Sequence, residues 1–366
     1  MSEQVKPTSV LGRAWDVAVR YQGVVVPVVA LTLAFTIGGI LIALQGVNPF
    51  NAYESLFRAA LFSGDGLLRT LQKATPLILT GMAVSIALRV GLFNIGAQGQ
   101  LIFGALAAAY FGYSLAGLPT IVILPASIAA GVLAGAMWAS IAGLLKAYRG
   151  VHEVISTIML NSIAYGLIEF LISGPLQEPD QVLLRTPAVA ENARLGNIGS
   201  IPVAFIGAVL LAFLVAWMLN RTTTGFQFNT VGKNKFAALY SGMKISRLTV
   251  LAMVFSGGLA GLGGAIETLG IVHRYESGFN VGLGFDGITI ALLARANPLA
   301  TIPAALLVAM LRAGSASLQF DTGIKPEVVD LLLAITLLLV SIPVLANILF
   351  RDRAQKQDNV TSGWGS

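Results

Sequence analysis

The sequence predicts an all-α, polytopic integral membrane protein with about ten transmembrane helices. Of its 366 residues, 56% are hydrophobic and 11% are charged, and the mean hydropathy is +0.80. Residues 24–44 carry no charge and, as a helix, are long enough to cross a hydrocarbon core of about 30 Å. Strands of a membrane barrel would instead show polar and apolar residues alternating over segments of about 10 residues.

Ten apolar segments predict the spans of a transmembrane domain over residues 24–350. They are residues 24–45, 76–90, 98–115, 120–145, 155–174, 201–219, 249–269, 284–293, 299–318 and 328–350. The eighth is shorter than a full crossing and is predicted to be re-entrant or broken.

The lysines and arginines predict the orientation, because cytoplasmic loops are enriched in these residues. We place the amino-terminal segment, residues 1–23, and the tail, residues 351–366, in the cytoplasm and let the chain alternate between the two sides. Most lysines and arginines then lie on the cytoplasmic side. The most basic loop, residues 221–247, is then cytoplasmic, and the longest loop, residues 175–200, is outside. Residues 51–73, with apolar positions on one helical face, predict a helix on the outer membrane surface.

Enzyme motifs are nearly absent from the sequence. No phosphate-binding G-x-x-x-x-G-K-[ST] motif occurs. Gly282, Gly284 and Gly287 match G-x-G-x-x-G, but they lie between apolar segments without the strand that a dinucleotide site requires, so tight turning and close packing are favoured. With no cysteine and only two histidines, His152 and His273, on opposite sides of the predicted membrane, no metal site is expected.

Few ionisable residues fall near or within the predicted spans. The candidates are Glu169, Glu267, Asp286 and Arg295. Because the middles of nearly all spans are uncharged, the sequence favours an energy source outside this chain over an ion-coupled mechanism. The spacing Gly257-x-x-x-Gly261 favours close helix packing.

Four sequence segments resemble the permease subunits of bacterial ABC importers of the branched-chain amino acid, sugar and nucleoside superfamily. They are residues 90–108 (VGLFNIGAQGQLIFGALAA), 150–161 (GVHEVISTIMLN), 223–243 (TTGFQFNTVGKNKFAALYSGM), and 285–288 (FDGI) followed by 291–293 (ALL). The resemblance implies a type II ABC importer-like fold in the cytoplasmic or inner membrane.

The Asn94-Ile95-Gly96 version of the first segment resembles branched-chain amino acid and nucleoside members, and the continuation over residues 97–100 resembles nucleoside members. The resemblance therefore implies a transport subunit that forms the path for a nucleoside. A simple-sugar (ribose- or galactose-like) permease is the alternative. The sequence also leaves open an ion-coupled secondary transporter and a membrane scaffold or enzyme.

The same resemblance implies the partners. ATP would be used by a separate ATPase with two nucleotide-binding halves, so this chain itself would need no cofactor. A second, paralogous permease or a second copy of this chain, an extracytoplasmic solute-binding lipoprotein and membrane lipid complete the expected assembly, and nucleic acid is not expected.

Two groups of residues are predicted to carry the function, and neither includes a catalytic or metal-ligating residue. The substrate pathway is predicted where glycine and polar residues break apolar helices, and its residues are Phe93, Asn94, Gly96, Gln98, Gly99, Asn161, Phe285 and Asp286. A short helix over residues 229–243, capped by Asn234 and with apolar residues at Phe236, Leu239 and Tyr240, is predicted to couple to the ATPase. The small residues of this segment would let it sit deep in a groove of that partner. The predicted coupling residues are Gly232, Asn234, Phe236, Ala237, Ala238, Tyr240 and Gly242.

Overall fold

The computed structural model describes residues 22–278 and 282–341. Apart from residues 22 and 23, the predicted cytoplasmic segments 1–23 and 351–366 lie outside the described residues. The described residues between 50 and 329 belong to one compact unit, and the described residues 22–49 and 330–341 belong to another. In the described part of the second unit, α1 (Gln22–Leu44) contains Pro27 and has no acidic residue in its first turn and no basic residue in its last.

The first unit is almost entirely helical. Its helices are α2 (Pro49–Leu61), α3 (Gly66–Arg89), α4 (Ala97–Ser114), α5 (Thr120–Arg149), α6 (Glu153–Ile172), α7 (Val203–Arg221), α8 (Thr223–Lys233), α9 (Lys235–Tyr240), α10 (Ile245–Glu267), α11 (Leu283–Leu293) and α12 (Thr301–Thr322). A π-helical turn, Thr268–Val272, extends α10, and α13 (Glu327–Ser341) starts in this unit. Two-residue strands β1 (Asn197–Ile198) and β2 (Ile201–Pro202) form a small antiparallel hairpin.

Seven described helices are long and apolar enough to cross a membrane, so the chain is a multi-pass membrane protein. They are α1, α3, α5, α6, α7, α10 with its π-helical turn, and α12. The other three predicted spans correspond to α4, with 18 residues, to α11, with 11, and to α13, of which 15 residues are described. Since 11 helical residues reach only about 16 Å, α11 is too short for a full crossing, as predicted.

The surface helix predicted over residues 51–73 is shorter in the structure. The helix α2 ends at Leu61, and Gly66 already begins α3. Thr70 and Leu71 are buried, so residues 66–73 are the first two turns of a packed span. Hydropathy alone places the start of this span too late, because these turns contain the polar residues Arg69, Gln72 and Lys73.

A glycine seam, defined by Gly104, Gly131, Gly135, Gly257 and Gly261, joins α4, α5 and α10. A Cβ atom at Gly104 would collide with the backbone of Gly261, and one at Gly257 would collide with the carbonyl oxygen of Gly135. The backbones therefore meet without intervening side chains, as small-residue interfaces in membranes allow. This confirms the packing interpretation of Gly257-x-x-x-Gly261.

The connections that follow α6 and α10 lie together at one end of the helices, the loop end. Thr186 N donates to Tyr275 O at 2.9 Å, and Val189 N donates to His273 O at 2.8 Å. Glu178 pairs with Arg185 at 2.6 Å and with Arg274 at 3.0 Å. The predicted loop over residues 175–200 is thus held by hydrogen bonds to the segment that follows α10.

The helices α8 and α9 lie at the opposite end, the α9 end. Arg89, the last residue of α3, donates from Nη1 to Asn229 Oδ1 of α8 at 3.2 Å. Ser246, at the start of α10, donates to the carbonyl oxygen of Ala147 near the end of α5 at 3.3 Å. The ends of α3 and α5 and the start of α10 therefore lie at the α9 end.

Candidate functional site

The amino-terminal ends of two short helices, α4 and α11, meet inside the bundle. Gly284 N, in the first turn of α11, donates to Gln98 Oε1 at 2.7 Å. A Cβ at Gly284 would collide with the backbone of Gln98. Thr80 of α3 donates a hydrogen bond to the carbonyl oxygen of Leu283 at 3.4 Å. Because Thr80 lies nine residues before Arg89, this junction lies about 14 Å from the α9 end, within the thickness of a bilayer.

A buried amide pair closes the turn before α4. Asn94 and Gln100 donate to each other's side-chain oxygen, at 2.9 and 3.0 Å, and Asn94 also donates to Ser256 Oγ at 2.8 Å. Ser256 in turn donates to the carbonyl oxygen of Ala83 at 2.7 Å. Asn94 is fully buried, so this network fastens the turn to α3 and α10. Only amide, hydroxyl and backbone groups take part, so the network carries no net charge.

Asn161 of α6 fixes the same turn from the other side. Its Nδ2 donates to Ile95 O at 3.0 Å, and its Oδ1 accepts a hydrogen bond from Gly99 N at 2.8 Å. Gly99 N belongs to the first turn of α4, where amide groups have no partner within the helix, so Asn161 acts as a cap supplied by another helix. A Cβ at Gly99 would lie 2.8 Å from Asn161 Oδ1 and 3.1 Å from Trp138 Nε1, so the position has no room for a side chain.

An ion pair stands beside the junction. The Arg312 guanidinium of α12 donates to both carboxylate oxygens of Asp286 in the first turn of α11, through Nε to Oδ2 and through Nη2 to Oδ1, the latter at 2.9 Å. Asp286 is 7% exposed. A carboxylate near a helix amino terminus is also favoured by the helix dipole. Asp286 is among the residues predicted from the sequence and Arg312 is not, although the charge of Arg312 within an apolar segment is a visible signal.

The structure brings the predicted pathway residues into one place but buries most of them. Gly96 and Gly99 are buried, as are the side chains of Asn94, Gln98, Asn161 and Asp286. Phe285 is 41% exposed, and Phe93 is half-buried. In this conformation the polar members hold the helices together, and the two phenylalanines are the predicted pathway residues that keep part of their surface exposed.

The predicted coupling segment forms two helices, α8 and α9, where one over residues 229–243 was predicted. The break falls at Asn234, whose extended backbone ends α8 and starts α9. Its Oδ1 accepts a hydrogen bond from Ala237 N at 3.0 Å, which is the predicted cap. Gly242 closes the segment with φ of +77°, a conformation that favours glycine.

The two sides of α9 differ sharply. Phe236, Leu239 and Tyr240 are 74%, 60% and 92% exposed, whereas Ala238 is fully buried within this chain. A Cβ at Gly232 would collide with the carbonyl oxygen of Arg89. Gly232 and Ala238 therefore allow α8 and α9 to pack on their own chain, which replaces the expectation that these small residues fit a partner's groove. Ala237 is exposed.

Arg89 connects the α9 end with both short helices. Its Nε donates to Ala296 O, in the turn after α11, at 2.8 Å. Through Nη1 it holds Asn229 of α8, which donates to Leu219 O of α7 at 2.9 Å. The residues that follow Arg89 form the turn before α4, and Ala296 lies in the turn after α11. A displacement of α8 would therefore be passed to both turns through the Arg89 side chain. Sequence analysis missed this residue.

Burial shifts two pKa values at the loop end. Tyr275 is 4% exposed, and burial raises the pKa of its phenol. Burial and the guanidinium of Arg194 lower the pKa of His273 below its ordinary value of 6.5. Within residues 22–278 and 282–341, no three His, Cys, Asp or Glu side chains are grouped so that they could hold a metal ion.

Comparison with known proteins defines the class. Residues 66–341 match the family model described as branched-chain amino acid transport system, permease component, and the chain belongs to this family. It is 34% identical over 331 residues to a guanosine ABC transporter permease of Bacillus subtilis, covering 88% of this chain and 94% of the relative. It is 32% identical over 355 residues to a nucleoside ABC transporter permease of Lactococcus lactis, covering 93% and 97%.

Sugar transporters also contain relatives of this chain. A glucose ABC transporter permease of Haloferax volcanii is 35% identical over 327 residues, covering 85% of each chain. Each of these three organisms also has a second, less similar relative, 26 to 28% identical, named for the same solute.

The family and these relatives show that the chain is a transport subunit of an ATP-binding cassette transporter, not an enzyme, and that it works with an ATPase.

Proposed function

We propose that this chain is the permease subunit of a nucleoside importer and forms part of the translocation path. The observation that carries the proposal is the similarity to guanosine and nucleoside permeases over nearly the whole of both chains. The junction of α4 and α11 is compatible with a neutral solute, because its polar groups are amides and the hydroxyl of Thr80, and the charges beside it, Asp286 and Arg312, are paired with each other. A simple sugar is the second candidate, and the glucose permease relative supports it.

We assign the path to the junction of α4 and α11. Gln98 joins the two amino-terminal ends, and Phe93 and Phe285 lie beside it with part of their surface open. Aromatic side chains would suit the flat face of a nucleobase, and the buried glycines let the two helix ends meet closely beside them.

The exposed face of α9 is the proposed ATPase site. Phe236, Leu239 and Tyr240 place large exposed apolar side chains on a six-residue helix that connects two membrane spans, and such a patch is typical of an interaction surface. Arg89 would carry the movement of this face to α4 and α11. ATP would be bound and hydrolysed by that partner.

A second permease is proposed as the other half of the path. Three organisms each have two different permeases named for one solute. In each pair this chain is more similar to one member, 32 to 35% identical, than to the other, 26 to 28% identical, which supports a heterodimer over a homodimer.

The loop end is proposed to face outwards and receive a solute-binding lipoprotein, with the α9 end and both termini in the cytoplasm. The basic residues of the segment from Arg221 to Arg247 support this orientation. Single cysteines can test it, because the chain has none. An impermeant thiol reagent applied to intact cells should label a Val182→Cys variant and spare a Tyr240→Cys variant. Labelling of the Tyr240→Cys variant and not of the Val182→Cys variant would show that the orientation is the opposite one.

Uptake by whole cells tests the solute. Cells that lack this permease should lose uptake of labelled guanosine or uridine and regain it when the intact chain is restored. Excess unlabelled nucleoside should compete, and ribose, galactose or glucose should not. Loss of labelled ribose, galactose or glucose uptake in the deletion strain, with nucleoside uptake unchanged, would favour the sugar as the solute. Uptake that persists when the ATPase partner is inactivated and that follows an ion gradient would contradict the ATP-driven mechanism.

A further inference from the structure

Arg312 lies in the middle of a membrane span. It is the twelfth residue of the 22-residue helix α12, Thr301–Thr322. Both carboxylate oxygens of Asp286 accept hydrogen bonds from its guanidinium. The side chain of Asp286 is 9% exposed, whereas that of Arg312 is 25% exposed. Of the two side chains, Arg312 is therefore the one that is partly exposed at the surface of the chain.

That surface is not a favourable place for lipid. An arginine at the middle of a span, exposed to hydrocarbon, is strongly destabilising, so intramembrane charges face water, protein or a partner. One turn beyond Arg312, the exposed Ala316 and Ser317 line an open groove of about 400 Å³. Across it, α2 contributes Ser55 and Arg58. Arg58 and Asp321 give the groove charges of both signs, beside the apolar Phe62 and Phe320. The groove begins one turn along α12 from Arg312, and this lining is compatible with water.

The pair also sets the local charge. The two opposite charges compensate each other, and Asp286 is held in the first turn of the helix whose amino terminus Gln98 caps. Neutralising one partner would change the net charge of this site by one unit at low dielectric, where the field of a charge extends over several ångströms.

We propose that the Asp286–Arg312 pair forms part of the wall of the water-accessible path, and that Arg312, neutralised by Asp286, sets the charge of the solutes admitted there. The pair would make this stretch neutral and so suit an uncharged solute. This inference rests on the proposed function only in assigning a neutral solute; the accessibility and the charge of the wall are properties of this chain.

Two thiol reagents of opposite charge measure both properties in the assembled transporter. In an Ala316→Cys variant, the modification rates with sulfonatoethyl (anionic) and trimethylammonioethyl (cationic) methanethiosulfonate are compared as a ratio. Adding Asp286→Asn should raise the anionic-to-cationic ratio about tenfold, and adding Arg312→Gln should lower it by a similar factor. The double change Asp286→Asn with Arg312→Gln should restore the original ratio, and Arg312→Lys should preserve it.

A matched control separates local charge from general effects. Val182 is 97% exposed at the loop end, and the ratio measured for a Val182→Cys variant should not respond to Asp286→Asn. The proposal is overturned if the Ala316→Cys variant reacts with neither reagent, or if its ratio is the same with and without Asp286→Asn. A shifted ratio in a transporter that carries no nucleoside would instead leave the proposal standing and refute the proposed solute.

Discussion

Arg89 Nε donates to the carbonyl oxygen of Ala296 at 2.8 Å, and this bond joins the last residue of α3 to the turn that follows α11. Ala296 and its neighbour Arg295 both have positive φ, +53° and +50°, which is a strained backbone for residues other than glycine. The bond to Arg89 therefore holds a strained turn in place. The same guanidinium contacts Asn229 of α8, so the turn and the α9 end share one anchor.

Replacing Arg89 with alanine should uncouple the transporter. The change removes hydrogen bonds from a charged group, each contributing about 1.5–3 kcal/mol, and frees the turn after α11 from α8. We expect ATP hydrolysis by the assembled transporter to continue while solute uptake falls at least about tenfold. Arg69→Ala, at the start of α3, is the matched control and should leave both rates unchanged. Equal loss of hydrolysis and uptake would argue against a relay role for Arg89.

The outward face of α9 should carry the binding energy for the ATPase. Phe236→Ala combined with Tyr240→Ala removes two exposed aromatic side chains, and such anchors commonly contribute about 2 kcal/mol or more, so affinity should fall about 30-fold or more. Co-purification of the ATPase measures this loss. Phe170→Ala, at an equally exposed aromatic residue of α6, should retain the partner.

Ala238→Trp should behave differently from these truncations. Because Ala238 is fully buried within its own chain, the indole would displace α9 from the permease and lower its thermal stability. Unchanged stability of the purified permease would contradict the packing of α9 that the structure shows.

Gly284→Ala should separate the two short helices. Its Cβ would collide with the backbone of Gln98, so the hydrogen bond from Gly284 N to Gln98 Oε1 would break. We expect membrane insertion to persist and uptake to fall strongly. Gly166→Ala is the matched control, since a Cβ there meets no atom within 4 Å. Normal uptake by the Gly284→Ala variant would exclude this junction from the transport mechanism.

The loop end should lose stability on acidification. The pKa of His273 is lowered in the folded chain by burial and by Arg194, so the unfolded chain binds the proton more readily. Stability should therefore be unaffected by this histidine above pH 6.5 and should fall as the pH drops below it. Melting temperatures between about pH 8 and pH 5 measure the effect, and His273→Asn should flatten the curve. The same fall in melting temperature in the His273→Asn variant as in the native chain would contradict this assignment.

Local features of the fold were predictable, and distant contacts were not. Apolar runs locate the spans because hydropathy is a property of neighbouring residues, and the Asn234 cap is visible because its partner is three residues away. The partners of Arg89 and Arg312 are not visible in this way: Ala296 lies 207 residues from Arg89, and the charge of Arg312 is interpretable only once Asp286 is placed beside it. A small residue such as Ala238 suits a partner's groove and packing on its own chain equally well. Its size in the sequence therefore cannot tell these two positions apart, and only its burial in the structure does.

The glycine seam has a mechanical consequence for α4, α5 and α10. Most helix interfaces can adjust because side chains exchange rotamers when the helices slide, but Gly104, Gly135, Gly257 and Gly261 have no rotamers, and their backbones already touch. These three helices should therefore travel as a rigid block, and any alternation between two states of the transporter should be concentrated outside the seam, at α12 and at the turn held by Arg89. A methyl group added anywhere along the seam would act as a wedge in every state of the cycle.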